Sequence, residues 1–335
     1  MVDLSRRGDG RANQGNFRLK VQVKMKILAW IVLAIIILII LALMLYLSVG
    51  AILFGKVFKR KNLADRLMKK NLEKQLKEYK IDLCWWDKFK FVKVKTQSFD
   101  QLNLVGHFFE ANSDETVIVV HGFGSDYREM QQYCKFFLEK NFNVLAVSNR
   151  GHGESEGKFV GFGWLDRKDI LSWVEFLNKK QPENKIVLFG LSMGGTAVCS
   201  AAGEKLPQNV VAIISDCAFA NADKQIMHVI RNSIFLKGLK KWLYSFAKRV
   251  HGFDIKEIDA TKQVKITKIP ILYFHGNADD FVPVENLFVL YGATPENLRD
   301  KMIVEGAGHA LAYPVAGVLY EKKISDFLKS RTLLK

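Results

Sequence analysis

Gly190-Leu191-Ser192-Met193-Gly194-Gly195, directly after the apolar run Ile186-Val187-Leu188-Phe189, is the stretch that decides the fold. A serine between small residues, where a strand turns sharply into a helix, fits a nucleophile elbow. Such a turn leaves no room for a Cβ beside the serine, and its dihedrals strain any larger residue. Thr196 to about Lys205, rich in Ala, reads as the following helix, whose positive N-terminal end would face charge developing on a reacting group. An ordinary tight turn is the competing reading, and the rest of the chain decides between them.

A serine hydroxyl is a weak nucleophile until a base takes its proton, and the base needs a carboxylate to hold its tautomer. Downstream, Ile269-Pro270-Ile271-Leu272-Tyr273-Phe274 reads as a strand and leads into His275-Gly276-Asn277-Ala278-Asp279-Asp280. Asp279 falls just past that strand, where the acid of a triad belongs. Lys301-Met302-Ile303-Val304-Glu305 reads as the last strand, and Gly306-Ala307-Gly308-His309-Ala310 follows it, with His309 between small residues. Upstream, the buried strand Thr116–Val120 runs into His121-Gly122-Phe123-Gly124. A tetrahedral oxyanion needs two backbone N–H donors already aimed at it. The expected pair is Phe123 and Met193. A second turn, Asn149-Arg150-Gly151-His152-Gly153-Glu154-Ser155, follows the strand Val144–Val147.

These four ordered motifs, HGFG, NRGHGES, GLSMGG and HGNADDFVP with the later GH, resemble the α/β-hydrolase superfamily over about Phe89 to Leu328. Within it the chain is similar to membrane-anchored bacterial esterase/lipase-like proteins and to monoacylglycerol-lipase-type and acyl-peptidase-type members. The resemblance implies nucleophile Ser192, acid Asp279, base His309 and oxyanion donors Phe123 and Met193. Two departures are HGFG for the HGGG of many lipases, which narrows the entrance to the hole, and Gly-Leu-Ser for Gly-His-Ser at the elbow.

Other residues compete for these roles. Asp280 is the acid if the register shifts by one, and Asp216, after the strand Val210–Ile214, is the acid if it sits on the preceding strand. His121, His152 and His275 read as structural. No metal or cofactor is expected: the seven histidines and four cysteines show no H-x-x-x-H or C-x-x-C spacing, and no Gly-rich turn fits a dinucleotide site. Cys84, Cys134, Cys199 and Cys217 are unclustered. Cys134 and Cys199 on helices and Cys217 after a strand read as buried hydrophobes, and the redox compartment stays open.

Ile27 to Gly55 carries no charge and is dominated by Ile and Leu, long enough to span a bilayer. It exceeds the apolar core of a signal peptide, so an uncleaved anchor is expected, with Trp30 and Tyr46 near its two ends. The formal net charge of +16 is concentrated around it. Residues 1–26 hold seven Lys or Arg against two Asp, and residues 56–80 hold ten against three acids, leaving +4 for residues 81–335. That distribution suits an anionic membrane surface, and no nucleic-acid motif accompanies it. The basic flanks balance, so the positive-inside rule decides nothing. A short tail is more easily retained than translocated, which points to a catalytic domain outside the cytoplasm.

The expected domains are therefore a basic tail (1–26), a transmembrane anchor (27–55), a basic juxtamembrane helix or linker (56–88) and a hydrolase domain (89–335). In residues 56–80, Leu63, Leu67, Leu72 and Leu76 suggest a basic amphipathic helix, and Trp85-Trp86 fit either under the first strand or in the interface. Strands are expected near 89–96, 102–110, 116–120, 143–148, 185–189, 210–215, 270–275 and 301–305, giving an α/β fold with a mostly parallel eight-stranded sheet covered on both faces. Residues 220–265 read as a helical cap, with an apolar stripe of Phe235, Leu239, Trp242, Leu243, Phe246 and Val250. The expected activity is cleavage of a small-molecule or lipid acyl ester. A peptidase or thioesterase, a perhydrolase or acyltransferase, and a non-catalytic binding module are the alternatives. The oligomeric state is not legible.

Overall fold

All eight runs read as strands enter one sheet. A computed structural model describes residues 9–58, 70, 74, 77–79 and 85–330 of the chain. The strands are β1 (Val92–Gln97), β2 (Asn103–Phe109), β3 (Glu115–Val120), β4 (Asn143–Val147), β5 (Lys185–Leu191), β6 (Val210–Asp216), β7 (Ile271–Gly276) and β8 (Arg299–Val304). They lie in the order β1-β2-β4-β3-β5-β6-β7-β8. β2 runs antiparallel to both its neighbours, and β4 through β8 are parallel. The chain steps outward from β3 to β4, then crosses back over β3 to β5. That reversal puts a topological switch point at the carboxyl ends of β3 and β5, where open α/β sheets bind ligands.

Strand alternation sorts the core into two layers. Val117, Val119, Val187, Phe189, Ile214 and Phe274 point to one face, covered by α2 (Gln131–Glu139) and, at the far end of the chain, by Val318–Lys329. Ile118, Val120, Leu145, Leu188, Ile213 and Tyr273 point to the other, covered by α3 (Asp166–Lys180), α4 (Met193–Ala201) and later helices. Because both faces are buried, the central strands read as continuous apolar runs. The helix expected from Thr196 to Lys205 begins instead at Met193, because the elbow feeds directly into it, and ends at Ala201.

After β6 come α5 (Ala222–Val229) and α6 (Ile234–His251), then α7 (Ala260–Val264) and α8 (Glu285–Ala293). An isolated antiparallel bridge between Asn221 and Asp259 ties the two ends of the insertion together. α5 and α6 form a third apolar cluster with Met193, Phe219, Phe253 and Val282. α7 packs with α4 and α8 on the sheet face, so the last helix of the 220–265 stretch belongs to the sheet-covering layer. Of the expected stripe on α6, Leu239 is buried and Leu243 and Phe246 pack on the apolar cluster, whereas Phe235 is 61% exposed; Tyr244 and Ala247, outside that stripe, complete the buried face. Val250 lies outside the described side chains. α9 (Ala312–Ala316) and α10 (Val318–Lys329) close the domain.

The pair Trp85 and Trp86 tucks under the sheet. Both are buried, Trp86 packs on Phe109 and Tyr127, and its indole N–H donates to the Arg128 carbonyl at 2.6 Å.

The chain divides into two units that part between Leu53 and Phe54. The first holds most of α1 (Asp9–Phe58), which begins within the expected basic tail. Phe17–Val49 of this helix is long and apolar enough to cross a membrane, a property shared by membrane spans and signal sequences. Residues 1–8 and most of the expected juxtamembrane segment 56–88, including Leu63, Leu67, Leu72 and Leu76, lie outside the described residues.

Candidate active site

Ser192 sits at the tip of the β5–α4 turn with φ 55° and ψ −115°, a conformation that a non-glycine residue holds only when its surroundings impose it. The close approach is visible at the flanking glycines. A Cβ on Gly190 would fall 2.2 Å from the Gly194 carbonyl oxygen, and one on Gly194 would fall 2.2 Å from that of Val120. Cys217 (φ 45°) and Ala310 (φ 60°) hold positive φ as well, so three strained residues gather around the ends of β5, β6 and β8. The Ser192 N–H donates to the Asp216 carbonyl at 2.8 Å, which fixes the elbow to β6.

Ser192 Oγ lies 2.9 Å from His309 Nε2, and His309 Nδ1 lies 2.7 Å from Asp279 Oδ2. These side chains come from 117 and 30 residues apart in sequence, each delivered by the loop after its own strand. Asp279 is held from all sides. Its Oδ1 accepts the Phe281 and Val282 N–H groups at 3.0 and 2.8 Å, and His275 Nε2 stands 3.4 Å from Oδ2 while donating to the Val282 carbonyl. Burial pushes the carboxyl up, but hydrogen bonds from His275, His309 and Val282 outweigh it and hold the group well below the usual carboxylate range. Phe281 meets the His309 ring edge-on at 5.0 Å.

The two other carboxylates considered for this role stand elsewhere. Asp280 is exposed, and its carbonyl accepts from His228 at 2.8 Å. Asp216 is fully buried at the end of β6, where the Tyr320 hydroxyl donates to Oδ2 at 2.9 Å. Burial pushes its carboxyl up to about 6, against the Tyr320 hydrogen bond. The sulfur of Cys217, Asp279 and His309 lie close enough that their ligand atoms are within 4.8 Å of one another. Asp279 and His309 are already bonded to each other, and burial holds the Cys217 thiol well above its ordinary range.

The loop after β3 runs against the serine: a Cβ on Gly122 would lie 3.3 Å from Ser192 Cβ. Two histidines shape that loop. His121 Nδ1 donates to the Gly122 carbonyl at 2.8 Å and its Nε2 accepts the Asn149 N–H at 3.0 Å. His152 Nδ1 donates to the Arg150 carbonyl at 3.0 Å and its Nε2 accepts the Gly124 N–H at 3.3 Å. Both therefore act as neutral Nδ1–H rings. The bond from His152 to Gly124, one residue past Phe123, was not legible from spacing, since the partners are 28 residues apart. Arg150 anchors the second loop by pairing with Asp169 (2.6 and 2.7 Å) and Asp100 (2.9 and 3.0 Å). No local signature marks those carboxylates in the sequence either. Above the serine, Phe123, Phe162, Phe219 and Phe246 belong to the apolar cluster under the cap.

A parallel sheet with one antiparallel strand, and a strained serine at its switch point, defines the class of α/β hydrolases. A model of the family described as serine aminopeptidase, S33, matches residues 111–257. The chain is similar to YqkD of Bacillus subtilis, an uncharacterized protein, with 28% identity over 66% of this chain and 73% of that one. It is 23% identical to monoglyceride lipase of Rattus norvegicus over 58% of this chain and 75% of the lipase. Among solved structures, an esterase of Pyrococcus furiosus superposes with a TM-score of 0.61 at 25% identity, covering 73% of this chain and 93% of the esterase. Fold and matches together support a serine hydrolase of the α/β-hydrolase type, with esterase-like relatives.

Proposed function

We propose that the chain is a membrane-anchored carboxylesterase that works through an acyl-enzyme, with Ser192 as nucleophile, His309 as base and Asp279 as the acid that orients it. The observation that carries this reading is the unbroken chain from Ser192 Oγ through His309 to Asp279 at 2.9 and 2.7 Å. His309 Nε2 takes the hydroxyl proton as Oγ attacks the ester carbonyl. The oxyanion is received by the N–H groups of Phe123 and Met193, for which no protein acceptor is found among the described residues. The alcohol leaves with the proton from Nε2, and water, activated by the same nitrogen, releases the acid. α4 starts at Met193, so its positive end faces the developing charge.

An apolar acyl group suits the aromatic side chains under the cap. α5 and α6 hold a single carboxylate, Asp223, which is engaged by Lys240 and Tyr244 at 2.7 and 2.8 Å. Lys240 already offsets its charge, which disfavours it as the seat of a free amino terminus. The match to the serine aminopeptidase model favours a second reading, cleavage of aminoacyl amides on the same residues. The test uses the full chain in detergent with p-nitrophenyl esters of increasing acyl length and a set of aminoacyl amides. Ester turnover above amide turnover, lost together with fluorophosphonate labelling in Ser192→Ala, is expected. Undiminished labelling of that variant refutes the nucleophile, and amide preference refutes the esterase reading.

The anchor in this proposal is residues 27–55, largely within the helix segment Phe17–Val49 that is long and apolar enough to cross a membrane, with the hydrolase domain (89–335) outside the cytoplasm. Protease added to intact cells is expected to remove the hydrolase domain; protection until lysis refutes the orientation.

A further inference from the structure

The hydrolase domain's net positive charge comes from its cap. Residues 220–265 contain ten Lys or Arg against four acids, a net +6, whereas residues 81–335 as a whole carry +4. Residues 81–335 outside the cap therefore sum to only −2, close to neutral, and the cap stands out as a basic island. Within it, α6 contributes Lys237, Lys240, Lys241, Lys248 and Arg249 with no acid.

At 100° per residue, Ile234, Lys237, Lys241, Ser245 and Lys248 fall within one narrow stripe of α6. Every member of that stripe is exposed. Lys240 pairs with Asp223, but among the described residues no carboxylate pairs with Lys237, Lys241 or Lys248. The stripe begins at the α5–α6 turn, where three large apolar side chains stand in solvent: Ile234 at 88%, Phe235 at 61% and Val229 at 52% exposure. The apolar face of α6 is turned into the protein, so what meets solvent is a basic ridge leading from an apolar tip, a surface that suits an anionic bilayer able to take the apolar groups at head-group depth and the cations on its phosphates. A second copy of this chain fits less well, because two such ridges would repel. The rest of the domain lacks the excess acid that a neutralising protein partner would supply.

We propose that the cap docks on an anionic phospholipid bilayer, with Ile234, Phe235 and Val229 inserted and Lys237, Lys241 and Lys248 on the lipid phosphates. This contact is separate from α1 and independent of the reaction catalysed.

The test uses the full chain reconstituted into vesicles of phosphatidylcholine alone or of phosphatidylcholine with phosphatidylglycerol. An environment-sensitive fluorophore is placed by Phe235→Cys in a Cys84→Ser background, the other three cysteines being buried. Nitroxide-labelled lipid is the quencher. Quenching is expected only with phosphatidylglycerol present, and it should fall as salt is raised. Each basic residue at such a surface strengthens docking about five-fold, so changing Lys237, Lys241 and Lys248 to Gln should lower the docked-to-free ratio roughly 100-fold. An unchanged fluorophosphonate labelling rate shows that the triple variant is folded. Equal quenching in both lipid mixtures, or quenching that survives the triple change, overturns the electrostatic docking. A label that stays solvent-exposed in both overturns the insertion. Concentration-dependent self-quenching without nitroxide quenching shows contact between copies and overturns the lipid partner.

Discussion

Replacing Asp279 with Asn tests the triad at the point where the structure dictates the outcome atom by atom. Oδ1 of Asp279 accepts two backbone N–H groups, from Phe281 and Val282, and Oδ2 accepts from His309 Nδ1. An asparagine keeps its carbonyl oxygen on the two N–H donors, because turning its NH2 toward them would set donor against donor. Its NH2 is then forced toward His309 Nδ1. That nitrogen must become the acceptor, the proton moves to Nε2, and the ring presents a donor to Ser192 Oγ at the 2.9 Å contact. The base is lost while the shape is kept. A wrong tautomer of this kind costs roughly 10⁴ in kcat, or about 5 kcal/mol of transition-state stabilisation. The assay is kcat on a p-nitrophenyl ester together with the fluorophosphonate labelling rate, with circular dichroism to show the fold intact. Retention of more than about a tenth of wild-type kcat would refute the assignment of Asp279 as the acid and of His309 as a base tuned by it.

Asp216→Asn is the matched control, expected to leave kcat within a few-fold, because Tyr320 can still donate to the amide oxygen; a collapse of activity would move the acid role to β6. Its stability also has a signed pH dependence. The folded carboxyl is raised to about 6, so ionising it opposes folding, and this cost grows as pH rises from about 4 to above 6. Thermal unfolding of the variant relative to wild type should therefore improve across that window by up to about 3 kcal/mol; a flat difference would contradict the burial argument. His152→Ala removes a buried ring that accepts the Gly124 N–H and donates to the Arg150 carbonyl, and should lower both Tm and kcat/KM, the latter about ten-fold or more because the loop must stay aimed; an unchanged kcat/KM would show that the loop does not depend on this ring. Trp86→Ala deletes a buried indole and should cost about 3–5 kcal/mol in denaturant unfolding without touching the labelling rate per folded molecule.

Much of the fold was legible because its signals are local. The buried strands are short apolar runs, most of the parallel ones running into Gly, His or Asp, and the observed strand ends fall within three residues of those expected. The sharp turn at Ser192 announces itself through Gly190 and Gly194, whose missing side chains the backbone approach requires. The order of Ser192, Asp279 and His309, each just past a strand, is equally a property of the linear chain. Less was legible where contacts join distant segments. Nothing in the spacing shows that Tyr244 and Ala247 join Leu239 on the inner face of α6 while Phe235 stays in solvent, because all are apolar and only the docking partner selects among them.

The primary structure alone determined the alternation of strands and helices, the elbow, and the concentration of charge beside apolar residues, since periodicity and composition act over a few residues. Tertiary structure decided what depends on which loops meet. It brought His309 onto Asp279 and left Asp216 to Tyr320, buried Trp85 and Trp86 against Phe109 and Tyr127, and joined His152 to Gly124. Those pairings arise only when the parallel sheet sets its strand ends side by side, because a hydrogen bond requires atoms within about 3 Å whatever their separation along the chain.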